Sequence, residues 1–533
     1  MKPTTLTVDL ATQSCSLETQ GARTRFAANV SSNVGYISAQ IAVTVWLTPY
    51  LIGYLGLAGF GMIPLVNALV SYMAVLTTAL NSAVSRFLAI DLGKGDISAA
   101  NKTFNTALLG LVGIILVLSP AIFIGSWAFP SLFQVPSGWE KDASWLFLIV
   151  ALAFLVTVIG NNFAISPFVH SRFLLGNVVN LAGLLARVGF IVTLFSVFSA
   201  RIWYAGGGIL VGALVSLLGY VVLWRKLTPE LHVKVSAFDR SRLKSLMGMG
   251  GWVVVNMAGA MLLARVDLIV VNAYFGATMT GGYGSVAQFS LLLEYLVSAV
   301  ATTIRPVVLA KYAQQDFPGL QRLASQAVKL LGLALALPVG LLCGFSHPLL
   351  VVWLGPSYDY LSTLLVVIVC HQSLNLSVRP LLDVQNAYNK VRWPGIVTLL
   401  SGGLTLVLAV LFAAWGKWGA VGVAVAGGIA WTAKNGVYIP IYTARIMKLP
   451  WWTFLPALSA SIIGTLFVGV VSYSATLIKM PGNWLSLAES GTAISLLYAA
   501  IVWTMGLRRE ERQLLKDLLP VAITGTRETR SLK

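Results

Sequence analysis

The sequence predicts an all-α, polytopic membrane protein of about fourteen transmembrane helices, built as two six-helix lobes followed by two extra C-terminal helices. Three observations predict it. Hydrophobic residues make up 57% of the 533 and charged residues only 10%, where a soluble domain carries roughly 25% charged residues. The apolar residues fall in runs of span length. The loops between those runs divide their Lys and Arg very unequally between alternate sides. A soluble enzyme, a disulfide scaffold and a disordered chain are all excluded by this composition. Cys15, Cys343 and Cys370 stand far apart, without metal spacing, so neither a metal nor another cofactor is expected.

From Phe26 to Ser85 there is no Asp, Glu, Lys or Arg, which is room for two spans of roughly 20 residues each. Gly53, Gly56, Gly59 and Gly61 punctuate the stretch and mark a turn. The first two spans are thus placed near 28–51 and 58–82. The same criterion gives 104–127, 144–167, 175–198 and 204–224. After a polar, basic segment it gives 248–275, 282–306, 327–349, 360–378, 394–415, 418–442, 452–477 and 486–507. The implied organisation is a cytoplasmic tail (1–24), an N-lobe (25–225), a cytoplasmic linker (226–246), a C-lobe (247–447), helices thirteen and fourteen (448–507) and a second cytoplasmic tail (508–533). The longest loop on the outer side falls at 128–143.

Of the 36 Lys and Arg, 28 lie on the side shared by both termini, 4 on the other side and 4 within spans. By the positive-inside rule both termini are cytoplasmic. One missed helix would invert every later loop and mix the two sets. The net charge of +18 is therefore a topology signal, and nucleic acid is not an expected partner. Residues 1–24 lack an apolar core and do not read as a signal peptide.

The second half repeats features of the first. Tyr54-Leu55-Gly56 is followed by Gly59-Phe60-Gly61, and Tyr274-Phe275-Gly276 by Gly282-Tyr283-Gly284. Polar stretches, Asp91 to Lys102 and Lys311 to Arg322, then precede the third helix of each half. Two six-helix repeats around a midplane cavity is a transporter arrangement.

Six charged residues fall inside the spans: Arg187, Arg265, Arg305, Lys434, Asp267 and Glu294. A charge at mid-bilayer costs roughly 2.5–3.5 kcal/mol on insertion scales, so these should face a cavity or one another. In the cavity reading, Arg265, Arg305 and Arg187 bind an anion through planar, bidentate guanidinium forks, and Asp267 and Glu294 are ion-coupling sites. In the alternative they neutralise each other, Arg265 with Asp267 or Glu294 with Arg187, while Lys434 snorkels and Arg305 is an interfacial anchor. His371, Gln372, Asn375 and Cys370 make the tenth span unusually polar, either as lining or as hydrogen bonds between helices. The longest outer loop carries only Glu140 and Asp142 as acids, and no Ser/His/Asp or metal constellation accompanies them, so the protein is not expected to be an enzyme.

Several segments carry a resemblance. They are Leu55-Gly56, Gly59-Phe60-Gly61, Ser85-Arg86-Phe87-Leu88-Ala89, Gly93-Lys94-Gly95-Asp96, Arg265-x-Asp267-Leu268-Ile269-Val270-Val271-Asn272 and Trp353-Leu354-Gly355-Pro356. The chain resembles, over about 25–507, the polysaccharide-exporter (Wzx-type O-antigen flippase) branch of the multidrug/oligosaccharidyl-lipid/polysaccharide superfamily. The resemblance implies alternating access and movement of a polyprenyl-pyrophosphate-linked oligosaccharide across a bacterial inner membrane. It implies a cationic cavity lined by helices one, two, seven and eight, which favours Arg265, Asp267, Glu294 and Arg305 over Arg187 and Lys434. Its implied partners are the lipid-linked glycan, membrane lipids and a polysaccharide assembly machinery. The first helix here has no charged counterpart of Arg265, a departure that leaves less charge in the N-lobe. The rivals are a cation-coupled drug exporter of the same superfamily, a major-facilitator symporter, and a membrane glycan polymerase or ligase. The intramembrane excess of cations favours an anionic substrate over a cationic drug.

Overall fold

The computed structural model describes residues 6–248 and 251–512. The described residues are mostly helical, with no strand among them. In lipid every backbone polar group must be satisfied within its own segment, so apolar runs of this length close into helices. The N-lobe comprises α1 (Leu6–Ser71), α2 (Ala74–Gly93), α3 (Ile97–Leu132), α4 (Glu140–Phe163), the short α5 (Ile165–Val169), α6 (Phe173–Val197) and α7 (Ile202–Leu227). A linker containing α8 (Arg240–Gly248) leads to the C-lobe: α9 (Gly251–Ala313), α10 (Phe317–Gly344), α11 (Ser346–Trp353), α12 (Ser362–Val369), α13 (Gln372–Ser377), α14 (Arg379–Ala387), α15 (Arg392–Ala414), α16 (Gly419–Thr432) and α17 (Ile439–Ile446). Two further helices follow, α18 (Leu455–Ile478) and α19 (Trp484–Ile501). They attach to the C-lobe: Gly332, Gly340 and Gly344 of α10 bring it against α18, and Tyr498 of α19 donates to the Leu333 carbonyl at 2.9 Å.

Eleven helices among the described residues are long and apolar enough to cross a bilayer; fourteen separate spans are not delineated. Two of the eleven, Ser31–Ser71 and Gly251–Ser298, run to 41 and 48 residues. Both contain a glycine with left-handed φ, Gly56 (φ 66°, ψ 171°) and Gly276 (φ 77°, ψ −179°). On a straight helix Asp267 and Tyr283 would stand about 24 Å apart at ~1.5 Å per residue. Yet the Tyr283 hydroxyl donates to Asp267 Oδ2 at 2.8 Å, so the chain turns back at Gly276. Glycine is needed there because L side chains rarely adopt that φ.

The repeat seen in the sequence extends to the turns. Gly95 (φ 72°) and Gln315 (φ 57°) lie 220 residues apart, the same offset as Gly56 and Gly276. Both close with one hydrogen-bond pattern, Asp96 N–H to the Asp91 carbonyl and Asp316 N–H to the Lys311 carbonyl. Asp96 and Asp316 then cap the next helix, accepting from Ala99 N–H and Gly319 N–H at 2.9 and 2.8 Å.

Three expectations need correction. The loop expected at 128–143 shrinks to residues 133–139, because α3 continues past Pro130 and Glu140 and Asp142 occupy the first turn of α4, where acids suit the helix dipole. The described part of the N-terminal tail is helical from Leu6 and continuous with the first span; residues 1–5, and 513–533 of the second tail, lie outside the described residues. The tenth span is broken into α12, α13 and α14, with Pro380 at the start of α14, where its missing N–H does least harm.

The two lobes share one apolar core through α1 and α9, and they are tightly joined at the end bearing Gly56 and Gly276. A Cβ on Gly61 would lie 2.5 Å from Gly281 N, and one on Gly281 only 1.9 Å from the Leu57 carbonyl oxygen. Around this contact Gln134 N–H donates to Asn272 Oδ1 at 2.9 Å and Gln134 Nε2 to the Ala273 carbonyl at 2.7 Å. Trp353 Nε1 donates to the Val45 carbonyl at 2.7 Å and Thr48 Oγ1 to Gln288 Oε1 at 2.9 Å. Towards the opposite end Leu76, Tyr295 and Arg305 are exposed.

Candidate functional site

The hairpin of α9 brings six of its charged or polar side chains, Gln288 and Ser290 among them, to one cavity of about 140 Å³. Arg265 and Asp267 come from the arm before Gly276, Tyr283 and Glu294 from the arm after it. His371 and Gln372, at the break between α12 and α13, complete the polar lining. The glycine pair of α16 makes the closure possible: a Cβ on Gly427 would lie 3.0 Å from Asp267 Oδ2, and one on Gly428 2.9 Å from the His371 ring.

Arg265 and Asp267 share this cavity but form no ion pair, and Glu294 has none either among the described residues. The mutual-neutralisation alternative therefore does not hold for Arg265 with Asp267, nor for Glu294 with Arg187, which lines a different pocket. Spacing explains the first case: positions two apart on a helix point in different directions. Asp267 Oδ2 is engaged by Tyr283, while Asp267 Oδ1 and Gln372 Oε1 are buried without a hydrogen-bond partner. Two orphaned acceptors in one cavity are costly unless a proton or a cation reaches them. The Tyr72 hydroxyl, from the N-lobe, is also buried without a partner and lies within electrostatic reach of Asp267 and Arg265.

Arg305 is apart from this group. It is 63% exposed and pairs with Asp383 of α14 at 3.9 Å. Lys434 sits on a π-helical turn, Ala433–Tyr438, between α16 and α17, within electrostatic reach of Arg379. The polar tenth span resolves into both readings. Gln372 and His371 line the cavity, whereas Asn375 is tied between helices, with Nδ2 contacting His371 Nδ1 at 2.9 Å and Thr432 Oγ1 at 3.3 Å, and its carbonyl accepting from Asn435 at 3.0 Å.

Arg187 lies in the N-lobe, on a second cavity of about 410 Å³ between α1, α4, α6 and α7. Its helix is drawn onto α7 by glycines: a Cβ on Gly208 would meet the Arg187 carbonyl at 2.9 Å and one on Gly183 would meet Ser216 Oγ at 2.2 Å.

Sequence reasoning overlooked Tyr283 and Tyr72. Tyr283 was visible only as part of the Gly282-Tyr283-Gly284 turn, and nothing in a linear pattern pairs it with Asp267 until the hairpin is folded.

Comparisons with known proteins cover most of the chain. The family described as "Polysaccharide biosynthesis protein" matches residues 27–310. "Uncharacterized membrane protein EpsK" of Bacillus subtilis (strain 168) is 30% identical over 491 residues, covering 92% of this chain and 97% of that protein. "Putative O-antigen transporter" of Shigella flexneri is 23% identical over 308 residues, covering 57% of this chain and 71% of that protein. A solved structure described as "Lipid II flippase MurJ, inward closed conformation" shares the fold, with a TM-score of 0.57, 15% identity and coverage of 88% of this chain and 100% of that one.

Proposed function

The chain belongs to the polysaccharide biosynthesis protein family, and from that premise we propose that it moves a polyprenyl-pyrophosphate-linked oligosaccharide from the cytoplasmic to the outer leaflet of a bacterial plasma membrane. The observation that carries the reading is the convergence of Arg265, Asp267 and Glu294, none of them ion-paired among the described residues, on one cavity of the α9 hairpin. Uncompensated charge at that depth is too costly to keep without a ligand.

The mechanism is alternating access. The Gly56 and Gly276 turns lie on the outer side, with both termini cytoplasmic, so the joined end is the outer gate and the exposed end the inward mouth. Arg265 grips the anion of the substrate at the cavity, and Arg305 receives it near the cytoplasmic surface. A cavity of about 140 Å³ is too small for a glycan, since ligand pockets run to ~300 Å³ and above. Asp267, with Glu294 beside it, is accordingly the coupling site for a proton or hard cation, which would satisfy Asp267 Oδ1 and Gln372 Oε1. The protein breaks and makes no covalent bond in this cycle. It hands the flipped lipid to a polysaccharide assembly machinery.

The test is reconstitution of the purified chain in liposomes with a fluorescent polyprenyl-pyrophosphate-linked glycan on the inner face. Appearance of the glycan at the outer face, read by quenching with an impermeant reductant, is expected to depend on the protein. A protein-independent rate, or a new covalent glycan product, would overturn the proposal.

A further inference from the structure

The 410 Å³ cavity of the N-lobe is not needed by the coupling site, and it differs from it in chemistry. Its polar wall is formed by Tyr36 and Gln40 of α1, Thr157 and Asn161 of α4, Asn180 of α6 and Ser216 and Tyr220 of α7, with no Asp or Glu among the described residues. Arg187 is its one charged lining residue. The Arg187 Nε is buried without a hydrogen-bond partner, and Arg187 has no ion pair among the described residues. Counted from Phe173, it lies about 21 Å along α6 at ~1.5 Å per residue, close to mid-bilayer. Tyr36 and, from the C-lobe, Tyr295 lie within electrostatic reach of it.

We propose that this cavity is a saccharide subsite that selects a sugar carrying a single carboxylate, with Arg187 as the carboxylate ligand. It rests on the reading of the chain as a glycan transporter. The volume falls within the ~300–1,000 Å³ of ligand pockets. Neutral amides and hydroxyls suit sugar hydroxyls, which donate and accept at once. Tyr36 and Tyr220 add aromatic surface for the apolar faces of a pyranose. One guanidinium matches one carboxylate in a bidentate fork. A pyrophosphate, carrying more charge, would leave its excess uncompensated in a low-dielectric cavity with no second cation. The internal repeat sharpens the point. At the 220-residue offset Arg187 corresponds to Val407, so the C-lobe has no copy of this cation and the subsite is a specialisation of the N-lobe.

The experiment uses the full-length chain in nanodiscs and three soluble probes: a glucuronosyl-glucose disaccharide, neutral cellobiose and inorganic pyrophosphate. The wild type is expected to bind the acidic disaccharide at least tenfold more tightly than cellobiose. Arg187→Gln should bring that ratio to near one and leave the cellobiose affinity within about twofold. Asn180→Asp, which places an internal counter-ion in the same cavity, should do the same if Arg187→Gln fails to fold. A ratio unchanged in either folded variant overturns the subsite, as does a wild type without acidic preference. Competition by pyrophosphate that disappears in Arg187→Gln also overturns it, because the anion bound would then be a diphosphate. Transport is measured in parallel. Equal transport of acidic and neutral lipid-linked glycans by wild type and Arg187→Gln sinks the subsite and leaves the transporter reading standing. Acidic preference in binding, with no transport by the wild type, sinks the transporter reading instead.

Discussion

Replacing Gly281 should change which way the protein opens. The helical Gly281 faces the Leu57 carbonyl so closely that a Cβ would lie 1.9 Å from its oxygen and 2.8 Å from its carbon. Ordinary contact begins near 3.4 Å, so Gly281→Ala requires the lobes to part by about 1.5 Å at the joined end, by the overpacking argument. The obstruction is backbone, which cannot rotate aside as a side chain would. Overpacking of this kind costs about 1–3 kcal/mol, and only the state with this end closed bears the cost. At ~1.4 kcal/mol per decade the equilibrium shifts roughly 5- to 150-fold towards opening at the Gly56/Gly276 end. The assay is pulsed electron spin resonance between labels on cysteines placed at Gln134 and Ala273, with the native cysteines replaced. In the parent the short-distance population should dominate, and in Gly281→Ala a longer one should appear. Gly281→Val should drive the shift further, with transport slowed because the inward-open state becomes rare. An unchanged distance distribution in Gly281→Val, in folded protein, would refute the assignment of this contact as a gate.

Arg265→Ala should abolish glycan export at wild-type protein level, and Arg265→Lys should retain part of it, since the charge survives but the fork does not; accumulation of glycan-linked lipid in cells reads both. Asp267→Asn should leave substrate binding in place but uncouple transport from an imposed ion gradient, measured in liposomes with and without the gradient. Glu511→Ala should lower thermal stability by about 3 kcal/mol, as for removal of one member of a buried pair, because Glu511 accepts from both Lys329 Nζ at 2.7 Å and Arg508 N–H at 2.8 Å. Reporter fusions at Lys244 and Lys390 should read cytoplasm and one at Trp139 the outside.

What could be read in the sequence was whatever depends on solvent and local turn chemistry. The bilayer forces apolar runs to be helices, so the helical class follows from composition. The turns at Gly56 and Gly276 follow from glycine content, and the similarity of their flanks disclosed the repeat. What the sequence could not disclose depends on distances set after folding. Arg305 and Arg265 are two cations of one long helix, yet the hairpin puts one in the cavity and the other in an exposed pair with Asp383. The polar tenth span could be lining or glue on paper. Its break between Val369 and Gln372 makes it both, with Gln372 turned to the cavity and Asn375 to its neighbours.

The repeat also locates function by its failures. Matching turns at a constant offset show that the two lobes are built to one plan, and a plan of that kind would place matching side chains at matching depths. The charged positions break it. Val45 stands where Arg265 would have its N-lobe counterpart, Leu47 where Asp267 would, and Val407 where Arg187 would. Burying a charge costs several kcal/mol wherever it lies in a membrane, and the shared backbone plan requires it in neither lobe, since the opposite lobe folds with Val or Leu at each of these places. The charges are thus superfluous to the fold. They divide as well, with two acids and a cation together in the small C-lobe cavity and a cation alone in the large N-lobe one. That division fits the proposed coupled export of an acidic glycan, in which ion and sugar would be held at once without competing for the same groups.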